Sequence, residues 1–155
     1  MLPRPSSHPV RVVIVGLLTF LASMAMAQSK KEAPPTPLEG TYWKAIELAG
    51  KPTPAQDPQR EAHLQFEAGG RVSGSDGCNR ISGPYQLNGE HVTFGPIAAT
   101  RMACADSTGI ETAFLVALEK ADRLHISGSS LELFDAKGTR LAVFAAGKPS
   151  MALKQ

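Results

Sequence analysis

Reactive side chains are scarce in this chain. It holds two cysteines, one tryptophan, two tyrosines and four histidines, and none of them falls into a spacing that chemistry favours. Cys78 and Cys104 are far from the Cys-x-x-Cys spacing of thiol–disulfide enzymes, although Cys104 lies shortly before an expected helix. No His-x-x-x-His pair offers converging metal ligands. His63, His91 and His125 each fall on the polar side of an expected strand, as isolated solvated groups. Gly74-Ser75-Asp76-Gly77 lacks the Gly-x-Ser-x-Gly elbow of a hydrolase, and no glycine loop ends in the Lys-Ser/Thr of a phosphate cradle. Acidic residues are scattered over strand exteriors and loop ends. The expectation is a non-enzyme with no catalytic residue, no metal and no cofactor.

The chain also lacks an excess of charge where it counts. Arg4 and Arg11 are two of the 16 basic residues, so the part after residue 27 carries 14 basic against 14 acidic side chains. A neutral domain has no electrostatic footprint for nucleic acid or an anionic membrane. Long apolar runs are missing too. Val12 to Ala22 is interrupted only by Gly16 and Thr19, and falls short of the roughly 20 residues that span a bilayer. Preceded by Arg4 and Arg11 and followed by Ala25-Met26-Ala27, it reads as an export signal over residues 1–27, cleaved between Ala27 and Gln28. No cysteine follows the run to carry a lipid, so no membrane span or anchor is expected after processing. The product is expected to be a monomer in the periplasm or secreted beyond it.

Export gives the cysteines their meaning. Two thiols in an oxidising compartment, with one possible intramolecular pairing, are expected to form a Cys78–Cys104 disulfide. That bond requires Cα atoms about 4.4 to 6.8 Å apart. Residues 28–37 include Pro34, Pro35 and Pro37 and read as a proline-rich linker. Residues 147–155 read as a flexible tail. Residues 38–146 remain, enough for one domain with one modest core.

Within that domain the apolar period is two. Ala62, Leu64, Phe66 and Ala68 alternate with polar residues, the mark of a half-buried strand. Asn88-Gly89 is a hairpin signal, and a two-residue turn there puts Tyr85 opposite Val92, with Leu87 and Phe94 on the same buried side. Thr41 to Leu48 reads as the first strand, anchored by Trp43, and Leu124 and Ile126 mark a later one. Leu131 and Leu133 lead through Asp135-Ala136-Lys137-Gly138 to Leu141 and Val143 in a second hairpin. One segment changes period: Ile110, Phe114 and Leu118 recur every four residues, flanked by Ala113, Ala117 and Ala121. Thr108 and Glu111 offer a capping box, predicting a helix over residues 108–121. The fold class is therefore mostly β: an antiparallel, curved, partly closed, lipocalin-like barrel with one packed α-helix.

Gly40-Thr41-Tyr42-Trp43, Gly70-Arg71-Val72-Ser73-Gly74, Gly77-Cys78-Asn79-Arg80-Ile81-Ser82-Gly83 with Tyr85, and Thr100-Arg101-Met102-Ala103-Cys104 occur in this order before the helix and last hairpin. Together they resemble the META domain family, which includes the heat-shock-inducible envelope protein HslJ. The resemblance runs over nearly the whole of residues 38–146. It implies a compact β-rich barrel with one helix, an exported or surface location, pairing of the two motif cysteines and a link to stress, motility or drug-resistance phenotypes. It implies no shared reaction. The lipid anchor of HslJ has no counterpart cysteine here.

The motif residues admit plain physical roles. Gly74, Gly77 and Gly83 suit bulges, positive φ or close strand approach. Asn79 is expected to bond nearby backbone, and Arg80 to pair on the surface or, with Asn79, to face a barrel mouth. Arg101, following Thr100, is expected to pair with Asp76 or Asp106, or to hold an anion. Two functions follow. One is a stress-associated envelope module acting through a protein or surface contact. The other is a barrel that binds a small ligand in a cavity, and the two separate on whether Trp43, Phe66, Tyr85, Phe94 and Phe114 fill the interior.

Overall fold

The computed structural model describes residues 34–54, 60–104 and 109–148. The signal segment with Ala27 and Gln28, residues 28–33 of the linker and residues 149–155 of the tail lie outside the described residues. The elements are β1 (Tyr42–Leu48), β2 (Lys51–Pro52), β3 (His63–Glu67), β4 (Arg71–Ser75), β5 (Arg80–Asn88), β6 (His91–Phe94) and β7 (Ala98–Ala99). After them come α1 (Ile110–Lys120), β8 (Arg123–Ser127), β9 (Ser130–Phe134) and β10 (Arg140–Gly147).

Eight strands form an antiparallel barrel in the order β1-β3-β4-β5-β6-β8-β9-β10. The ring closes where β10 returns to β1, from Tyr42↔Gly147 to Leu48↔Ala142. β2 and β7 are two-residue additions on β1 and β5. The period-two pattern sends Trp43 of β1, Leu64 and Phe66 of β3, Val72 of β4, and Leu131 and Leu133 of β9 into one core. Trp43, Phe66, Phe114 and Phe144 are wholly excluded from solvent. Phe66 meets Tyr85 edge-on at 5.0 Å, and Phe114 meets Phe144 edge-on at 5.9 Å. These T-shaped contacts set the positive edge of one ring against the negative face of the next.

The helix is shorter than residues 108–121. Ile110, Phe114, Ala117 and Leu118 face the core, and α1 packs on β1, β9 and β10. Its start differs from the expected capping box. Thr108 lies outside the described residues, and the N-cap is Gly109, left-handed at φ 77°, with no side-chain cap. Glu111 in the first turn and Lys120 in the last complement the helix dipole.

The first hairpin corrects the expected phase. Asn88 pairs with His91, Leu87 with Val92 and Tyr85 with Phe94, so the turn residues are Gly89 and Glu90. Positive φ is confined to Gly89, at 62°, the first central position, as a type II′ turn requires. Tyr85 and Val92 are buried as expected, whereas Phe94 is only partly buried and Leu87, at the rim, is 42% exposed. In the second hairpin the register slips between Arg140 and Ala142. This bulge sets Ala142 and Phe144 opposite Leu133 and Leu131 in the core, while Val143 is also buried and Leu141 packs partly buried against the core. Ala68, expected inside, is exposed just beyond the end of β3.

The domain edges also shift. The Thr36 amide donates to the Gly128 carbonyl at 2.9 Å, and the Trp43 indole N–H donates to the Leu38 carbonyl at 3.0 Å. The last linker residues are thus part of the packed domain. Gly147 belongs to β10 rather than to the tail.

Candidate functional site

The cysteine motifs meet at one end of β5. Cys78 and Cys104 are disulfide-bonded with Cα atoms 6.1 Å apart. The β4–β5 turn that carries Cys78 is built on Asp76, which is fully buried. Its Oδ1 accepts the Cys78 and Asn79 amides at 2.9 and 2.6 Å, and its Oδ2 accepts the Asn79 side-chain amide at 3.3 Å. A short carboxylate that bonds the backbone two and three residues on is the natural organiser of a tight turn. Gly77, at φ 104°, supplies the left-handed step within it.

Asn79 carries the order across to the second motif. Its Oδ1 accepts the Met102 amide at 2.8 Å and the Thr100 hydroxyl at 3.5 Å. Thr100 Oγ1 in turn accepts the Arg80 amide at 3.0 Å, and the Thr100 amide donates to the Arg80 carbonyl. The expected backbone role of Asn79 is therefore joined by a side-chain bond to Asp76. Arg80 and Arg101 point to solvent and form no ion pair among the described residues. The expected Arg101–Asp76 pair is replaced by Asp76's backbone bonds, and Asp106 lies outside the described residues. Gly74 is required by proximity. A Cβ there would run into the His63 carbonyl on β3. At Gly83 a Cβ would sit 2.8 Å from the Pro96 carbonyl.

A second polar cluster lies on the outer face of β1 and β3. Glu61, 3% exposed, accepts the Tyr42 hydroxyl at 2.9 Å and pairs with Lys44 at 2.6 Å. His63 stacks on the Tyr42 ring at 4.4 Å and its Nδ1 donates to the Glu61 carbonyl. Burial, reinforced by the bond to Glu61, pushes the Tyr42 phenol well above its ordinary range. Burial also holds His63 below the usual imidazole value. His63 is thus not the solvated group expected from its strand position. His91 and His125 are exposed, but each faces a carboxylate: His91 lies 3.5 Å from Asp122 and His125 2.8 Å from Glu90. Among the described residues, no three His, Cys, Asp or Glu side chains converge as a metal would require. None of their helices is long and apolar enough to cross a membrane.

Among the described residues, grooves open at the surface. One of them, about 560 Å³, is lined by Pro37, Leu38, Glu39, Gly70, Tyr85 and Leu87. There the Tyr85 hydroxyl donates to Glu39 at 3.1 Å. Burial first, then that carboxylate, raises the Tyr85 phenol above its usual value.

This arrangement, a ring of eight strands with a disulfide clasping the two motif loops, coincides with a family match over residues 36–148. The chain belongs to the META domain family. No match is found among curated proteins. Solved structures share the fold. An NMR structure of a protein from Burkholderia xenovorans is 23% identical, with 96% of this chain and 99% of that one covered and a TM-score of 0.58. Another protein solved by NMR is 24% identical over 70% of this chain and 91% of its own, with a TM-score of 0.57. A crystal structure of a duf4847 family protein from Bacteroides vulgatus is 19% identical over 72% of this chain and 95% of its own, with a TM-score of 0.54. At these identities the likeness concerns architecture alone. In this META domain, the signature residues Gly74, Gly77, Cys78, Asn79 and Thr100 are accounted for by turn and clasp geometry. Asp76 is the organiser that its sequence position alone does not reveal. The signal available was its place in a Gly-Ser-Asp-Gly turn, where aspartate commonly bonds backbone.

Proposed function

We propose that this META domain protein is a non-enzymatic, stress-associated module exported to the periplasm or beyond, acting through contact between its outer surface and another envelope protein or surface. The observation that carries this reading is the filled barrel. Trp43, Phe66, Phe114 and Phe144 occupy the interior with no exposed surface, where a lipocalin-like binder would hold its ligand. Recognition is left to the exterior, and among the described residues the half-exposed Ile46 and Leu87 and the more exposed Met102 are the large apolar side chains it offers. The disulfide suits an oxidising compartment, in keeping with the signal segment.

The test is in two parts. Fractionation of expressing cells with intact-mass analysis should find the protein outside the cytosol beginning at Gln28. Photo-crosslinking amino acids placed at Leu87 or Met102 should then trap a discrete envelope partner, with Lys137 in the β9–β10 turn as a control position. Thermal denaturation with fatty acids and other apolar small molecules should leave Tm unchanged. A saturable rise in Tm would move the assignment to the small-ligand barrel, and turnover of a substrate would end the non-enzymatic reading.

A further inference from the structure

The clasped motif loops present a strand edge. Among the described residues β7 pairs with β5 alone, at Ile81↔Ala99 and Ser82↔Ala98. The bonding continues past its end: the Thr100 amide donates to the Arg80 carbonyl at 3.0 Å, and the Met102 amide to Asn79 Oδ1 at 2.8 Å. Successive residues of a strand turn their backbone polar groups to opposite edges. With Thr100 and Met102 turned toward β5 and its turn, Ala99 and Arg101 turn their amides and carbonyls the other way. Every residue from Ala98 to Ala103 is exposed. Such edges are commonly blunted by lysine or proline, and residues 97–103 contain neither.

The charge along this edge has one sign. The sequence holds no Asp or Glu between Glu90 and Asp106. Arg101 lies on the edge and Arg80 is level with Thr100 beside it, and neither forms an ion pair among the described residues. Asp76, in the adjoining turn, is buried and taken up by the Cys78 and Asn79 amides. We propose that the edge from Ala98 to Met102 is a docking site for an extended, acidic segment of a partner protein, which adds as a strand beside β7. Main-chain bonds to Ala99 and Arg101 supply the attachment, as in other strand additions. The two guanidiniums select acidic side chains, and Met102, 60% exposed, offers an apolar contact.

The surroundings favour this occupant. The Cys78–Cys104 bond and the Asn79–Met102 bond fix the edge before anything binds, which lowers the cost of ordering it. A second copy of the chain fits less well, because two such edges side by side bring arginines together with no carboxylate between them, and like charges across a strand pair repel. The inference rests on the reading of the domain as a contact module, and gives that contact a place and a partner chemistry.

Decapeptides of alternating valine and threonine, with two threonines replaced by Glu, Gln or Lys, titrated into the full chain and read by NMR, test the proposal. The Glu peptide should bind roughly threefold to tenfold more tightly than the Gln peptide, and the Lys peptide more weakly than either. Salt at about 0.5 M should compress that preference, because exposed charges are screened. Hydrogen exchange at the Ala99 and Arg101 amides should slow in the complex, while that at Val72 stays unchanged. N-methylating one alternate set of peptide amides should abolish binding, and the other set should leave it. The double variant Arg80→Glu, Arg101→Glu should keep its Tm, since neither arginine is paired, and prefer the Lys peptide. Equal affinity for all three peptides, or binding to none, would overturn the proposal. So would slow exchange at Ala99 and Arg101 that follows protein concentration without peptide, which would mean a second copy. Crosslinking to a partner from Leu87 but not from Met102 would remove this site and leave the contact module standing.

Discussion

Asn79 and Met102, 23 residues apart, are joined by a hydrogen bond of 2.8 Å from the Met102 amide to the Asn79 side-chain oxygen. One residue earlier, Cys78 is covalently bonded to Cys104. The two motif loops are therefore fastened by a covalent bond and a directional polar bond side by side.

Replacing Asn79 by alanine removes its side-chain bonds to Asp76 and to Met102, and should cost about 1 to 3 kcal/mol in urea denaturation. Asn79→Asp should be at least as costly near neutral pH, because a second carboxylate would face Asp76, and should recover part of the loss in acid. An unchanged midpoint in Asn79→Ala would mean that the disulfide alone orders the two loops.

Reduction of Cys78–Cys104, or the double change to serine, should lower stability by roughly 3 to 4 kcal/mol, the chain-entropy value for a loop of this length. Thiol titration of the denatured, unreduced protein should find almost no reactive sulfur. Two reactive thiols per chain would contradict the bond.

Phe114 is fully buried against Phe144, and Phe114→Ala should cost about 3 to 5 kcal/mol. A loss well below 1 kcal/mol would show that the helix is peripheral to the fold.

His63 is held below its ordinary value by burial, so the folded chain binds its proton less readily than the unfolded chain. Stability from the neutral ring is complete above about pH 6.5 and is lost as pH falls from there toward the folded value. His63→Phe keeps a ring against Tyr42 and removes the titration. Wild type should lose stability relative to this variant on acidification from pH 7.5 to 5, followed by chemical denaturation. A difference that stays constant with pH would rule out the linkage.

The barrel was legible because its strands are half-buried and alternate faithfully, as Leu64 and Phe66 do. The helix was legible because Ile110, Phe114 and Leu118 break that period. What escaped was phase. The turn at Asn88-Gly89 uses Gly89 and Glu90 because two adjacent frames both place a glycine where positive φ is needed. The slip at Arg140 leaves no mark in composition, yet it decides that Phe144 and not its neighbour lies opposite Leu131. The paired cysteines were readable from count and context. The polar clasp beneath them was not, since a buried Asp76 and a surface aspartate look alike until the backbone amides around them have positions. His63 escaped for a similar reason: its strand face is outward, but Tyr42 and Glu61 cover it there.

Closure of β1 against β10 has a consequence for synthesis. Tyr42, the first residue of the ring, is the register partner of Gly147, its last. A chain made from its N-terminus therefore cannot complete the barrel until β10 has emerged. Until then one side of β1 and the free side of β9 are bare sheet edges that can recruit strands from other molecules. Contacts between such distant parts of a sequence also form slowly, because the whole intervening loop must be closed first. A transcript truncated before residue 140 should thus yield aggregated material rather than a smaller soluble barrel.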